Sequence, residues 1–378
     1  MTTQLTASPK LYIGMDIHKK SWSVHIRSDI SDHKTMTIPP KSEALFNYVH
    51  TNFPEHEIHL SYESGCCGFE PARYFLNMGW NVTIVNPADV PTMHKQTHQK
   101  TDAIDCRNLS KQLQAGQLRG IYIPDQKQDY LKSLLRHRAD LSGQLRSIKN
   151  SIKSLLLYHD IKIPEQYDNP NWSKEFITWI TNIKWSEPTI RVCMESKLRQ
   201  LQFTHTEYLQ MANELRSYCR KHHKKDYYLL KSIPGIGGYL AAAVLAEIGD
   251  LRRFSKSSDF ASYVGIIPSI RNSGSTEKIT GVTPRCRALL RSYIIESAWV
   301  ALRHDPHIQA YYRKHTGKNP KSIIVKIAHK MLNRMLAVIK TGTPYQANYS
   351  FNNGKPVKEI TKQTTKQRGA AKSATQSR

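Results

Sequence analysis

The order of hydrophobic periodicities in the first third of the chain constrains the fold most strongly. Leu11–Asp16 (LYIGMD) has the length and apolar content of a short strand, and Ser21–Ile26 (SWSVHI) alternates as a second. Thr35–Ile38 fits a third strand. Helical spacing then runs over Ser42–Asn52 through Leu45, Phe46 and Val49. Glu57–Tyr62 (EIHLSY) reads as a strand, Glu70–Gly79 as a helix, Asn81–Val85 (NVTIV) as a strand, and Thr101–Leu113 as a helix ended by Gly116. Three strands followed by alternating helices and strands predict a mixed sheet with helices packed on it.

This order is that of a ribonuclease-H-like sheet, so the expected class is α/β at the N-terminal end. From about Gln126 the pattern changes to long helix. Leu141, Leu145, Ile148, Ile152 and Leu155 step by four and three, and Met194, Leu198, Leu201, His205, Tyr208, Ala212, Leu215 and Cys219 repeat the pattern. The two arms predict an antiparallel coiled coil, broken around Pro164–Pro188, where Trp172, Trp179 and Trp185 would cap it. A pair of bundle helices is the alternative. An all-α domain follows from Leu229 to about Lys340. The last stretch, residues 355–378, holds seven Lys or Arg against one Glu, a composition unable to bury a core. The expected division is therefore 1–123, 124–228, 229–344 and a basic, disordered tail at 345–378.

Charge narrows the function. Lys and Arg number 55 against 30 Asp and Glu, for a net +25. Such an excess points to a polyanion, with nucleic acid favoured over an anionic membrane. No apolar run approaches the roughly 18 residues of a spanning helix, and no signal peptide is evident. The six cysteines form no C-x-x-C pair, and the adjacent Cys66 and Cys67 do not suit a bridge to each other. Reduced thiols and a cytoplasmic location, near the nucleoid, are expected.

Four carboxylates fall where the predicted elements bring them together. Asp16 ends the first strand, Glu63 follows EIHLSY, and Asp102 and Asp105 lie three apart on one helix face. A dense acidic cluster is costly unless divalent cations neutralise it, and hard oxygen ligands favour Mg²⁺ or Mn²⁺. Such ions assist phosphodiester chemistry. Taken singly, each acid also fits a bland role: a helix cap, a partner of Arg107 or Lys111, or a solvated strand end. Lys19 and Lys100 flank the acids as expected phosphate contacts.

Ser232–Gly238 (SIPGIGG), ahead of an alanine-rich run, resembles a helix-hairpin-helix turn. Gly235, Gly237 and Gly238 would let backbone amides meet a phosphate; a plain packing corner is the alternative. Downstream, FASYVG breaks at Gly265 and Pro268, and a polar loop is expected to carry Arg271, Asn272, Ser273 and Gly274. A loop serine can act as a nucleophile when a base or metal eases its deprotonation. Spacing alone does not single out Ser273 from Ser269 or Ser275. Arg285, Arg287 and Arg291 next door fit backbone contacts to DNA.

Together these stretches resemble the IS110 family of transposases, which includes the Piv-type DNA invertases. The matching motifs are IGMDIHKKSW, YESG, NPADV and KTDAIDCRNL, then IPGIGGYLAAAVLAEIGDLRRF, FASYVGIIPSIRNSG and RALLR. Two departures stand out: Pro284-Arg285-Cys286-Arg287 replaces a Gly-Asn pair, and Gly65-Cys66-Cys67-Gly68-Phe69 replaces a small-residue and aromatic pattern. The resemblance implies a RuvC-like domain with an acidic tetrad on Asp16, Glu63, Asp102 and Asp105, joined by a coiled coil to a helical transposase domain. It further implies a nucleophile at Ser273, a covalent serine–DNA intermediate formed with metal assistance, and one site composed by both domains. Donor and target DNA, a structured bridge RNA, and dimers or tetramers are the implied partners. The rival expectations are a hydrolytic junction nuclease of the same fold and a non-enzymatic nucleic-acid-binding protein.

Overall fold

A computed structural model describes residues 8–90 and 101–346 apart from 274–275, with two further short strands at Ser350–Asn352 and Lys355–Val357. Side chains at 270–280 and beyond 346 lie outside the description. The chain divides into two compact units, Met1–Lys127 and Gln128–Arg378.

In the first unit β1 (Lys10–Ile17), β2 (Trp22–Ser28) and β3 (Asp32–Ile38) are followed by α1 (Ser42–Asn52), β4 (Glu57–Glu63), α2 (Glu70–Asn77), β5 (Asn81–Val85) and α3 (Asp102–Gln114). The strands form one mixed sheet in the order β3-β2-β1-β4-β5. β1 runs antiparallel to β2 and parallel to β4, with β5 parallel beyond it. This is the α/β mixed sheet expected of a ribonuclease-H-like unit. Alternation explains the layering, since successive side chains point to opposite faces. Leu11, Ile13 and Met15 on β1 are buried with Leu60 of β4, Leu45 of α1 and Phe75 of α2 in one apolar cluster. Helix α2 stops at Asn77, two residues short of the expected end, and Gly79 follows with a left-handed φ of 82°.

The second unit opens with two long helices, α4 (Gln126–Tyr158) and α6 (Pro188–His222), which bracket the short α5 (Lys174–Thr181). Leu145, Ile152 and Leu156 of α4 share an apolar cluster with Met194 and Leu201 of α6, and with Phe176 and Ile180 of α5. Trp172, Trp179 and Trp185 pack against it, as the sequence suggests. The seam differs in two places: Leu156 is buried where Leu155 was expected, and Thr204 where His205 was expected. At 3.6 residues per turn the buried stripe drifts from a strict heptad, and the smaller hydroxyl meets the partner more cheaply than an imidazole.

The remaining helices are α7 (Lys224–Lys231), α8 (Gly238–Ile248), α9 (Ser257–Val264), α10 (Ala288–His304), α11 (Pro306–Arg313) and α12 (Pro320–Thr341). They enclose a large core in which every residue of Leu240–Ile248 is buried. Between α9 and α10 the expected polar loop is instead a hairpin. β6 (Pro268–Ser273) pairs antiparallel with β7 (Thr276–Val282). The expected helix break at Gly265 is present, with that residue left-handed at φ 84°. Among the described residues no helix is long and apolar enough to cross a membrane.

Candidate metal centre

The N-terminal acids are assembled by strand register and by one close approach of backbone. β1 and β4 pair with Gly14 beside Ser61 and Met15 beside Tyr62. Period-two alternation places Asp16 on the face of Gly14, and Glu63 on the face of Ser61, which is the same face. Helix α3 packs there. A Cβ at Gly14 would stand 2.1 Å from the carbonyl oxygen of Cys106 and 2.7 Å from the amide of Ser110. Only glycine lets the helix lie this near the strand.

The helix begins where its sequence says it should. Thr101 caps it, its hydroxyl accepting from the amide of Ile104 at 3.4 Å. Asp102 and Asp105 fill the first turn, where the helix dipole favours negative charge. Asp102 lies one turn before Cys106, whose thiol donates to the Ser23 carbonyl at 3.0 Å. Burial pushes that thiol above its ordinary range, and the charges of Asp16, Asp102 and Asp105 add to the effect. Acids from two elements therefore act on one buried group.

Asp16 and Asp102 converge on a residue just beyond the end of β1. His18 Nε2 lies 3.1 Å from Asp16 Oδ2 and 3.7 Å from Asp102 Oδ2. One ligand atom from each of these three residues falls within 4.8 Å of the others. Asp16 is 26% exposed and the other two more than half, so the group is open to solvent on one side. His18 sits two places after Asp16 and one beyond the end of β1. That spacing was the available signal. Glu63 and Asp105 border the same face, half-buried, but are not in the three-residue group.

Two carboxylates and an imidazole within this distance form a donor set suited to a divalent cation of hard or borderline character. The composition fits the metal implied by the acidic tetrad.

The other candidate residues lie in the second unit, apart from two. Lys19 is exposed on the turn between β1 and β2, and Lys100 is outside the described residues. Ser273 closes β6 opposite Thr276, so its backbone is strand rather than loop. Its side chain, with that of Arg271, is outside the description. Arg291 holds the feet of this hairpin, its Nη1 donating to the carbonyls of Thr283 at 2.7 Å and Gly265 at 3.3 Å. Arg287 Nε lies 3.5 Å from the carboxylate of buried Glu247, and its guanidinium stacks over Tyr263. Arg285 is exposed. Of the three turn glycines, Gly235 is left-handed at φ 91° and faces α10, where a Cβ would meet the Ser297 carbonyl at 2.7 Å. Gly238 packs against the Tyr227 hydroxyl, whereas a Cβ at Gly237 meets nothing within 4 Å. Two of these glycines thus serve close packing.

Comparison with known proteins bears on both units. The DEDD transposase model of the IS110 type matches residues 13–159, and the model for the transposase IS116/IS110/IS902 family matches residues 227–313. Together these matches span more than half of the chain. The transposase for insertion sequence element IS1111A of Coxiella burnetii is 25% identical over 239 residues, covering 61% of this chain and 62% of that protein. The transposase for insertion sequence element IS1533 of Leptospira borgpetersenii is 21% identical over 301 residues, covering 77% and 85%. The pilin gene-inverting protein of Moraxella bovis is 33% identical over 121 residues, covering 31% and 38%. With both halves matched in the expected order, the chain belongs to the IS110 family of transposases and recombinases.

Proposed function

We propose that this protein exchanges DNA strands, using Asp16, Glu63, Asp102 and Asp105 to hold Mg²⁺ or Mn²⁺ and Ser273 as the nucleophile. The observation that carries the reading is the convergence of Asp16, Asp102 and His18 on one open face of the sheet, within 4.8 Å. A bound divalent ion would supply charge stabilisation to a phosphodiester. The protein's own residues do the rest. The carboxylates set the ligand geometry together with His18, whose Nε2 lies 3.1 Å from Asp16 Oδ2. The excess of basic residues draws the phosphate backbone in.

In this reading the Ser273 Oγ attacks phosphorus, and its proton leaves for a nearby base. One P–O bond of the strand breaks and a DNA hydroxyl departs. A hydroxyl of the second strand then attacks the serine-linked phosphate and returns the serine. Bond energy is conserved, so no ATP is required. The proposed division is a RuvC-like domain over 1–123, an antiparallel coiled-coil linker over 124–228, a helical transposase domain over 229–344 and a basic tail. Donor and target DNA, a bridge RNA, a homodimer or homotetramer, and a cytoplasmic, nucleoid-associated location belong to the same proposal. So do phosphate contacts from Lys19, Lys100, Gly235, Gly237, Gly238, Arg271, Arg285, Arg287 and Arg291.

Ser273→Ala tests the nucleophile. The variant is expected to bind DNA as wild type does and to form no protein–DNA adduct on a denaturing gel. Recombination at the wild-type rate would contradict the assignment and move attention to Ser269 or Ser275. Free cleaved ends with no adduct in the wild type would favour the hydrolytic nuclease.

A further inference from the structure

The turn between β4 and α2 holds two adjacent thiols that neither the acidic face nor the proposed chemistry uses. Cys66 and Cys67 place their sulfurs 3.8 Å apart. The turn is pinned on both sides. The Ser64 amide donates to the Val85 carbonyl at 2.8 Å, the Gly68 amide donates to Gly65 at 3.3 Å, and the Tyr62 hydroxyl donates to the Gly68 carbonyl at 3.1 Å. Cys66 is exposed, so the pair is reachable from solvent. A disulfide needs sulfurs at about 2.05 Å, far closer than these. A tetrahedral cation with metal–sulfur bonds of about 2.3 Å needs them about 3.8 Å apart. The two free thiols are in contact at a separation equal to the span that a tetrahedral cation needs. Spacing in the sequence gave no zinc signature because adjacent cysteines lie outside the C-x-x-C pattern.

We propose that Cys66 and Cys67 chelate a thiophilic divalent cation, Zn²⁺ or Cd²⁺, at an exchangeable site beside the acidic face. Each thiol releases its proton to solvent and both thiolates bind the ion, while the remaining positions stay open to water. The site adjoins the acids through Cys67, whose thiol reaches the Ile17 carbonyl at 3.8 Å, and Ile17 stands between Asp16 and His18. The first unit thereby carries a soft donor pair next to a hard one, and ligand softness sorts the ions between them. The inference does not depend on the acidic residues binding metal.

The test is a Cd²⁺ titration of the full-length reduced protein, followed by sulfur-to-cadmium charge-transfer absorbance. One sulfur-bound Cd²⁺ per chain is expected. Cys66→Ser and Cys67→Ser should each weaken binding by about tenfold or more. Cys193→Ser, Cys286→Ser and Asp16→Asn should leave it unchanged. A band that persists in the Cys66→Ser/Cys67→Ser double variant, or that is absent from wild type, overturns the site. Loss of the band in Asp16→Asn also overturns it, because the ion would then belong to the acidic group.

Discussion

Asp16→Asn is expected to reduce strand exchange by at least about a hundredfold while leaving DNA binding and the unfolding midpoint near wild type. Asparagine keeps the size of the side chain and removes its charge. Asp16 lies at the meeting point of the site, 3.1 Å from His18 and on the strand face that α3 covers. Loss of one anionic ligand weakens a divalent ion far more than it weakens packing, since the carboxylate is partly exposed and belongs to no core cluster. Exchange and binding therefore separate in this variant. Quantifying recombinant product from a supercoiled substrate, alongside a gel-shift titration, reads both. Exchange at the wild-type rate would contradict the role given to Asp16.

Gly14→Val is expected to cost about 3 kcal/mol or more in stability and to remove activity with it. The added Cβ would fall 2.1 Å from a backbone oxygen of α3, and no flexible side chain is there to yield. The helix must shift away from β1, carrying Asp102 and Asp105 from Asp16. Gly116→Ala offers a contrast within the same unit. Gly116 is left-handed at φ 66° but has open space around it, so only backbone strain of about 1–2 kcal/mol is expected. Urea unfolding of the two variants measures the difference. Equal midpoints would show that the helix–strand approach does not hold the acids together.

The parts of this account legible in the sequence are those set by local chemistry. The order of strands and helices placed Asp16 and Glu63 at the ends of their strands, but the side they share follows from the pairing of Gly14 with Ser61. Helical spacing over 101–113 marked α3, which runs Asp102–Gln114 with Thr101 as its cap. What escaped was decided by contacts distant along the chain. The end of β6, Arg271–Ser273, is polar and reads as loop by composition, yet it is strand because β7 pairs with it. His18 joins the acids only because α3 brings Asp102 beside it. Thr204 replaced His205 in the helical seam because the buried stripe follows the pitch of a real helix. Gly235 has the spacing of a phosphate-binding turn, yet its close neighbours are Ser297 and Ala301 of α10, which no local pattern reveals.

The central claim is that Asp16, Glu63, Asp102 and Asp105 face one divalent ion. Substituting Fe²⁺ for Mg²⁺ and adding ascorbate with peroxide generates hydroxyl radicals at the ion, which cut the nearest backbone. Mass mapping of the fragments should place the cuts around residues 16–18, 63 and 102–105, and Asp16→Asn should suppress them together. Cuts elsewhere in the chain, or an unchanged pattern in Asp16→Asn, would contradict a shared metal centre.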